Sequence, residues 1–468
     1  QARLTEVATA VDTGLPADSQ VAISPAGEPV LKRLKRRSPP ASAVALARIV
    51  RERMPERSLL DLLCAVERRT GWTRHFGPLA GGDPKLDRPT ERYLLTAFAY
   101  GTGMGPYQAA RHMRGVVTGH MVAFVNRRHV TIDLLNRALT DLINHYHAFG
   151  LPKLWGDGTR VAADGAQIDL LADSLVAEYS IRHGGTGGIA YRHVTDAYVA
   201  LFTRFVPPGV WEAVYLLDAL QRNSSDLQPT IVHADTQGQT TPVFGLAYLL
   251  GIDLMPRIRH WKDLIFYRPD KDVTYAHIDG LFRDTIDWAL LERHWPDLMQ
   301  VALSIKAGRI SSVILLRKLG TYSRKNRLYQ AFRELGRVLR TIFLLRYISE
   351  PPLREQITAS TNKVESYHRL AQWCLFGGEE GALLGDDPEE LEKTLKYNQV
   401  LTTAVLIQNV LDLTRVLRDL RADGYPVTRE DVAFLSPYLT RHIRRFGDYV
   451  IDLEGAPLPQ AGDATLAL

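Results

Sequence analysis

The hydrophobic period of this chain changes twice, and those changes limit what it can fold into. From about residue 41 to 149 apolar residues recur at three- and four-residue intervals, over 42–54, 59–70, 90–100 and 132–149. That is the spacing of helices that bury one face. From about residue 155 the pattern turns β-branched and aromatic, over 159–163, 188–194, 198–205, 230–235 and 253–258, with helical stretches at 211–221 and 241–250. From about residue 271 the helical period returns and holds through 361–376, 391–419 and a tail around 429–453. The order β-β-β-α-β-α-β, flanked by helices, predicts an α/β chain whose sheet opens antiparallel and then alternates with helices.

A chain of 468 residues exceeds one ordinary core. The period changes divide it into a Pro-, Ala- and Ser-rich linker over 1–40, a helical scaffold or dimerisation region over 41–150, and the first part of a core over 151–270. A helical basic insertion over 271–355, the second part of the core over 356–415 and a helical C-terminal tail over 416–468 complete it. Gly184-Gly185-Thr186-Gly187-Gly188 reads as a hairpin turn. Gly101-Thr102-Gly103-Met104-Gly105-Pro106 lacks a following Gly-Lys-Ser/Thr, so it reads as a helix-to-helix turn and not a phosphate cradle. His145 and His147, two apart near a helix end, read as solvated or capping residues, and Trp155 and Trp211 as core.

Three acids carry the candidate chemistry. Asp164 follows a short strand in Gly-Thr-Arg-Val-Ala-Ala-Asp-Gly, and Asp235 ends the β-branched run Thr-Ile-Val-His-Ala-Asp. Glu365 stands in Asn-Lys-Val-Glu-Ser-Tyr-His, which opens an amphipathic helix. Two strand-borne carboxylates and one helix-borne carboxylate are the donor set of a two-metal phosphoryl-transfer site, because hard divalent ions take oxygen ligands. The element order is that of an RNase H-like fold with a helical insertion, in which the first and fourth strands are neighbours and bring Asp164 beside Asp235. Gln167, Gln237, Gln239 and Lys363 flank the acids and could hold a phosphate or a water, or simply serve turns. His260 and Trp261 follow the fifth strand and could stack on an unpaired base; core packing is the other reading of Trp261.

Net charge is +5, but it is unevenly spread: residues 304–346 hold eleven Lys or Arg against the single acid Glu334. Arg317, Lys318, Arg324, Lys325, Arg333, Arg337 and Arg340 fall in this block, the last three spaced i, i+4 and i+7. Such a block suggests a polyanion partner; a solvated helical face is the alternative. Leu-Lys-Arg-Leu-Lys-Arg-Arg at 31–37 could likewise touch DNA or be a tether. No apolar run reaches the roughly 18 residues that span a bilayer, so no membrane partner is expected. Cys64 and Cys374 are too far apart for a zinc or disulfide framework. Cys374 reads as core, and the pair fits a reducing, cytoplasmic setting. The chain opens on Gln, as a fragment or a processed protein would.

Longer motifs give a family resemblance. Ala163-Asp164-Gly165-Ala166-Gln167, Gly188-Ile189-Ala190-Tyr191-Arg192-His193-Val194, His233-Ala234-Asp235-Thr236-Gln237-Gly238-Gln239 and Asn362-Lys363-Val364-Glu365 resemble the replicative transposases of the Tn-three family of bacterial transposons. Gly209-Val210-Trp211-Glu212-Ala213, Leu316-Arg317-Lys318-Leu319, Arg333-Glu334-Leu335-Gly336-Arg337 and Leu435-Ser436-Pro437-Tyr438 extend the likeness, which covers roughly residues 50 to 455. It implies that Asp164, Asp235 and Glu365 are the catalytic acids and hold two Mg²⁺ ions, with Mn²⁺ as substitute. It implies 3′-end nicking and strand transfer that forms cointegrates, with transposon ends and target DNA as partners and a homodimer in the bacterial nucleoid. A nuclease that only cleaves, and a DNA-binding remnant lacking the family's upstream end-recognition part, are the alternatives.

Overall fold

The computed structural model describes residues 1–454 apart from 19, 35–37, 83–84, 114, 171–173, 175, 181–184, 208–209, 211, 322–325, 379–381, 384, 386 and 448. The first third comprises α1 (Ala2–Gly14), the hairpin β1 (Val21–Ile23) and β2 (Pro29–Leu31), α2 (Ala41–Arg53), the short β3 (Arg57–Ser58), α3 (Leu59–Thr70), α4 (Pro89–Gly101), α5 (Gly105–His112), α6 (Gly119–His129) and α7 (Ile132–His147). Local chemistry sets several ends. Ser58, Thr118 and Thr131 each accept a backbone N–H of the first turn of α3, α6 and α7, and α3 stops at Gly71 in the left-handed region (φ 58°).

The middle contains β4 (Arg160–Asp169), β5 (Glu178–Ser180), β6 (Gly185–Thr195), β7 (Ala200–Val206), α8 (Tyr215–Gln221), β8 (Ile231–Ala234), α9 (Thr241–Leu249) and β9 (Asp253–Leu254). β10 (Phe266–Arg268), β11 (Phe282–Thr285), α10 (Trp288–Lys306), α11 (Ser312–Thr321), α12 (Arg327–Ser349), α13 (Pro351–Cys374), α14 (Pro388–Ala422), α15 (Arg429–Ala433) and β12 (Ile443–Arg444) follow.

The central sheet runs β5-β6-β4-β8-β9, with β7 also paired to β6. β4, β6 and β7 are antiparallel, whereas β8 joins β4 and β9 joins β8 in parallel. Its two faces are covered by different helices. Ala162 and Val194 share a core cluster with Val364, Tyr367 and Leu370 of α13 and with the buried stripe of α14. Val161, Ala163 and Val232 belong to a second cluster with α1, α8, α9, α10 and α12. Alternation along a strand explains the split: successive side chains leave on opposite faces. α13 is held over its face by polar ties. Asn398 of α14 donates to the carbonyls of Gly101 (3.0 Å) and Ala371 (3.1 Å), and the Tyr367 hydroxyl meets Thr402 at 2.7 Å.

Several expectations from the sequence need correction. Residues 1–40 are not a linker throughout. Leu4, Ala8 and Val11, spaced i, i+4 and i+7, bury α1 in the second core cluster, and the Asp12 carboxylate accepts the N–H groups of Ala276, His277 and Ile278. The stretch 271–287 is not helical; it holds β11, paired in parallel with β10. Among the described residues the tail is not helical beyond Ala433, and Ile443–Arg444 instead pairs with β3. Gly185 to Gly188 lie within β6, not in a turn, while Gly184 and Trp211 fall outside the described residues. The helix expected from 211 to 221 begins at Tyr215. α14 is long and apolar enough to cross a membrane by length and composition, contrary to the sequence count, but 94% of its apolar window is buried within the fold. It is the core helix of the protein. Cys374 and Trp155 are buried, as expected, and so is Cys64.

Buried His193 and His233 and half-buried His145 make stability sensitive to acid. Burial holds His193 and His233 down to about 4 from an ordinary 6.5, and burial beside Arg69 does the same to His145. Between those values the unfolded chain binds the extra proton and the folded chain does not, so stability is complete above about 6.5 and is lost as pH falls toward 4. At pH 5 the fully buried His193 should cost on the order of 2 kcal/mol, and half-buried His145 less. Urea unfolding at pH 7 and pH 5 checks this. His193→Gln should reduce the difference, since His233 and His145 still contribute, and an unchanged pH slope in that variant would refute the assignment.

Candidate active site

Asp164 sits in the middle of β4, not at its end. The strand continues to Asp169, with Asp164 directly opposite Arg192 of β6. The parallel pairing of β4 with β8 ends at Ala163↔Ala234. Asp164 and Asp235 are therefore the next residues on two adjacent strands, at the point where the strands part. Neighbouring strands lie about 4.8 Å apart. His233 is the register partner of Ala162; alternation carried on from these two puts both aspartates on the face covered by α13. Both are half-buried.

α13 crosses that face on a stripe of Ile357, Val364, Tyr367, Ala371 and Cys374. Its level at Tyr367 and His368 lies beside Arg192: burial, with the Arg192 charge, holds His368 well below the ordinary histidine range. Arg192 is itself buried, which lowers it to about 10. Glu365 is one position off the apolar stripe and exposed. It lines a cleft of about 910 Å³ together with Arg257. Arg257 donates its backbone N–H to the carbonyl of Ala234 (2.8 Å), the residue before Asp235. Glu365 thus opens on the side of the sheet where β8 ends. Among the described residues no group of three or more His, Cys, Asp or Glu is gathered so as to hold a metal ion. The two aspartates are strand neighbours; Glu365 stands at the cleft and does not close on them.

Residues 61–449 match the family described as Tn3 transposase DDE domain. The chain belongs to that family. It is 31% identical over 418 residues to the transposase for transposon Tn1546 of Enterococcus faecium, covering 89% of this chain and 42% of the relative. It is 32% identical to the transposase for transposon Tn501 of Pseudomonas aeruginosa (88% and 41%) and 28% identical to the transposase for transposon gamma-delta of Escherichia coli strain K12 (90% and 42%). The chain therefore spans about two-fifths of the length of these curated relatives.

The residues expected to support the acids of this DDE domain are placed differently from one another. Lys363 is on the opposite flank of α13 from Glu365. Its ammonium donates to the carbonyls of Trp155 (3.2 Å) and Asp196 and lies 4.4 Å from the Tyr198 ring centre. Burial lowers it to about 8. It is a tie within the fold. Gln167, three residues from Asp164, falls on the other face of β4 by alternation. The Gln237 side chain lies outside the described residues. Gln239 accepts from Arg340 through its carbonyl (3.3 Å). Trp261 is half-buried, with its ring centre 5.7 Å from that of Tyr347, so packing and not base stacking accounts for it; His260 is exposed, with φ 56°.

The basic block is likewise divided. Arg337 pairs with buried Glu334 (2.8 Å) over the ring of Tyr267 (4.6 Å), and Arg340 is pinned to Gln239 and lowered by burial. Both are held by partners within the fold. Arg317 donates to the Tyr215 hydroxyl (2.9 Å) yet stays exposed, as do Lys318 and Arg333. Arg324 and Lys325 lie outside the described residues. A paired test follows. Arg337→Gln should cost about 2 kcal/mol or more in unfolding experiments, because it strands a buried carboxylate. Arg333→Gln should leave stability unchanged and lower the log–log salt slope of DNA binding by about 0.9. The reverse pattern would restore the original reading.

Charge counting missed Arg257, Arg354 and Arg369 at the cleft; Lys32 and Arg33, which also line it, belong to the basic run at 31–37. A signal existed, since Arg369 is at i+4 from Glu365 on the same helix face.

Proposed function

We propose that this chain is the catalytic part of a DNA transposase, acting by nicking the 3′ end of a transposon strand and joining that end to target DNA. The observation that carries the reading is the placement of Asp164 and Asp235 side by side where β4 and β8 part, under the helix that bears Glu365, in a member of the DDE family. The strand order β7-β6-β4-β8-β9, antiparallel then parallel, supports an RNase H-like core. The relatives' role as transposases of named transposons supports the substrate class.

The three acids offer only carboxylate oxygens, a donor set that fits Mg²⁺ or Mn²⁺. Asp164 and Asp235 would hold the ions, with Glu365 completing the set as α13 settles on bound DNA; two such ions supply charge stabilisation and an activated oxygen for in-line displacement at phosphorus. The chain's own contribution is positioning. The β4–β8 pairing sets the two aspartates one strand apart, and Arg192 holds positive charge beside Asp164 below the helix. The ties of α13 to α14 keep the Glu365 helix from drifting off the sheet. The exposed cations at the cleft would orient the phosphate backbone without reading sequence. Nicking of one end and joining to target in cointegrates requires paired ends, and so at least two copies of the chain, working on the nucleoid of a bacterial cytoplasm.

A strand-transfer assay with a pre-cleaved 3′-OH end and Mg²⁺ decides the reading. A joined product is expected. Nicks without joining would mark a nuclease, and binding with no Mg²⁺-dependent product would mark a DNA-binding remnant; either overturns the proposal.

A further inference from the structure

A cation of unusual placement lies in the cleft beside Glu365. Arg354, in the first turns of α13, is only 4% exposed. Its Nε and Nη2 have no hydrogen-bond partner among the described residues. It nevertheless lines the open cleft, so these donors are shielded by the walls while facing a space large enough for a ligand. A buried guanidinium with unmet donors is costly and is ordinarily paired. Two carboxylates, Glu355 and Glu365, share the cleft with five cations, Lys32, Arg33, Arg257, Arg354 and Arg369. Arg257, Arg354 and Tyr347 line this same cleft. The opposite wall is the segment that follows β2, Leu31 to Leu34, so the N-terminal arm contributes Lys32 and Arg33 to the same cleft.

We propose that Arg354, with Arg257 in the same cleft, anchors a DNA backbone phosphate at a subsite about three helical turns from Glu365. The planar guanidinium fork matches a phosphodiester's two free oxygens, and a phosphate would supply the acceptors that Nε and Nη2 lack. Glu365 is eleven residues further along the same helix, or about 16 Å. At 3.4 Å per step along a strand, that is about five nucleotide steps from the reacting phosphate. The N-terminal arm and α13 would then grip the strand from two sides and fix how far it slides past the acids. This inference rests on the DNA reading above, but it concerns binding and not chemistry.

The test therefore measures binding in EDTA, where no reaction occurs. Fluorescence anisotropy with a 30-base-pair duplex over a salt series should show the log–log slope fall by about 0.9 in Arg354→Gln, with affinity reduced several-fold at low salt. Arg354→Lys, which keeps the charge and loses the fork, should recover most of the slope and less of the affinity. Thermal unfolding of Arg354→Gln should be unchanged or higher than wild type, because an unpaired buried charge is removed. On the unaltered chain, inorganic phosphate at fixed ionic strength should raise the unfolding temperature relative to chloride. A salt slope unchanged in Arg354→Gln, a lowered unfolding temperature in that variant with unaltered DNA binding, or no protection by phosphate would each overturn the subsite. A strand-transfer failure of the wild-type chain with a normal Arg354 effect would sink the transposase reading and leave the phosphate anchor standing.

Discussion

Asp164→Ala, Asp235→Ala and Glu365→Ala are each expected to lower DNA nicking and joining by about 10³-fold or more, since ligands that act as one unit fail together. DNA affinity should stay nearly unchanged, because the phosphate backbone is gripped by cations and not by the acids. The three substitutions should differ in stability. Glu365 is exposed, so its loss should leave unfolding within about 0.5 kcal/mol of wild type. Asp164 lies directly across from buried Arg192, so alanine removes negative charge from beside a guanidinium that has no access to water. That change should cost stability, on the order of 1–3 kcal/mol. Asp164→Asn separates the two effects, since it keeps the shape of the side chain and abolishes the carboxylate. A Mg²⁺ strand-transfer assay read beside urea unfolding is the measurement. Activity within tenfold of wild type for any one of the three would remove that residue from the site.

The strands that lead to the two aspartates were legible: a short strand before Asp164 and a β-branched run closing on Asp235, and these strands do pair. What could not be read was which charges are already committed. Lys363, Arg337 and Arg340 look in sequence like any surface cation, yet each is bound to a carbonyl, a carboxylate or a ring contributed by a segment remote in the chain. Their partners are fixed only by tertiary packing. The converse holds for Arg354 and Arg257, which are far apart in sequence and line one cleft only because α13 and the segment after β9 border it. The fold shows the same division. The long helices had a period to announce them. α1 did not, because Pro, Ala and Ser across 1–40 dilute the three-residue stripe of Leu4, Ala8 and Val11 that docks it. The length of β4 was hidden by Gly165, which reads as a turn. There the glycine serves close approach: a Cβ would strike the carboxylate of Glu212 and approach Ile189 within 2.7 Å.

Close approach of another glycine pair controls how the second helical layer sits on the sheet. Gly336→Ala, in the interior of the 23-residue helix α12, is expected to destabilise the protein by about 3 kcal/mol, and Gly336→Val to prevent folding. Helix propensity alone argues the other way, since alanine is favoured over glycine in a helix interior by about 1 kcal/mol. Packing decides the sign. A Cβ on Gly336 would overlap the backbone carbonyl of Thr241, which opens α9, and one on Gly245 would come within 2.6 Å of the carbonyl of Phe332. Both obstacles are backbone, so no side chain can rotate away, and relief requires α9 and α12 to separate. Separation would be felt at the site. α12 carries Tyr347 to the cleft and runs through Glu350 into α13, which bears Arg354 and Glu365. Gly14→Ala is the control: nothing lies within 4 Å of a Cβ there, and the change should be neutral or stabilising by up to about 1 kcal/mol. Urea unfolding of the three variants measures the effect. Gly336→Ala as stable as wild type would show that the α9–α12 contact yields, and that the cleft does not depend on it.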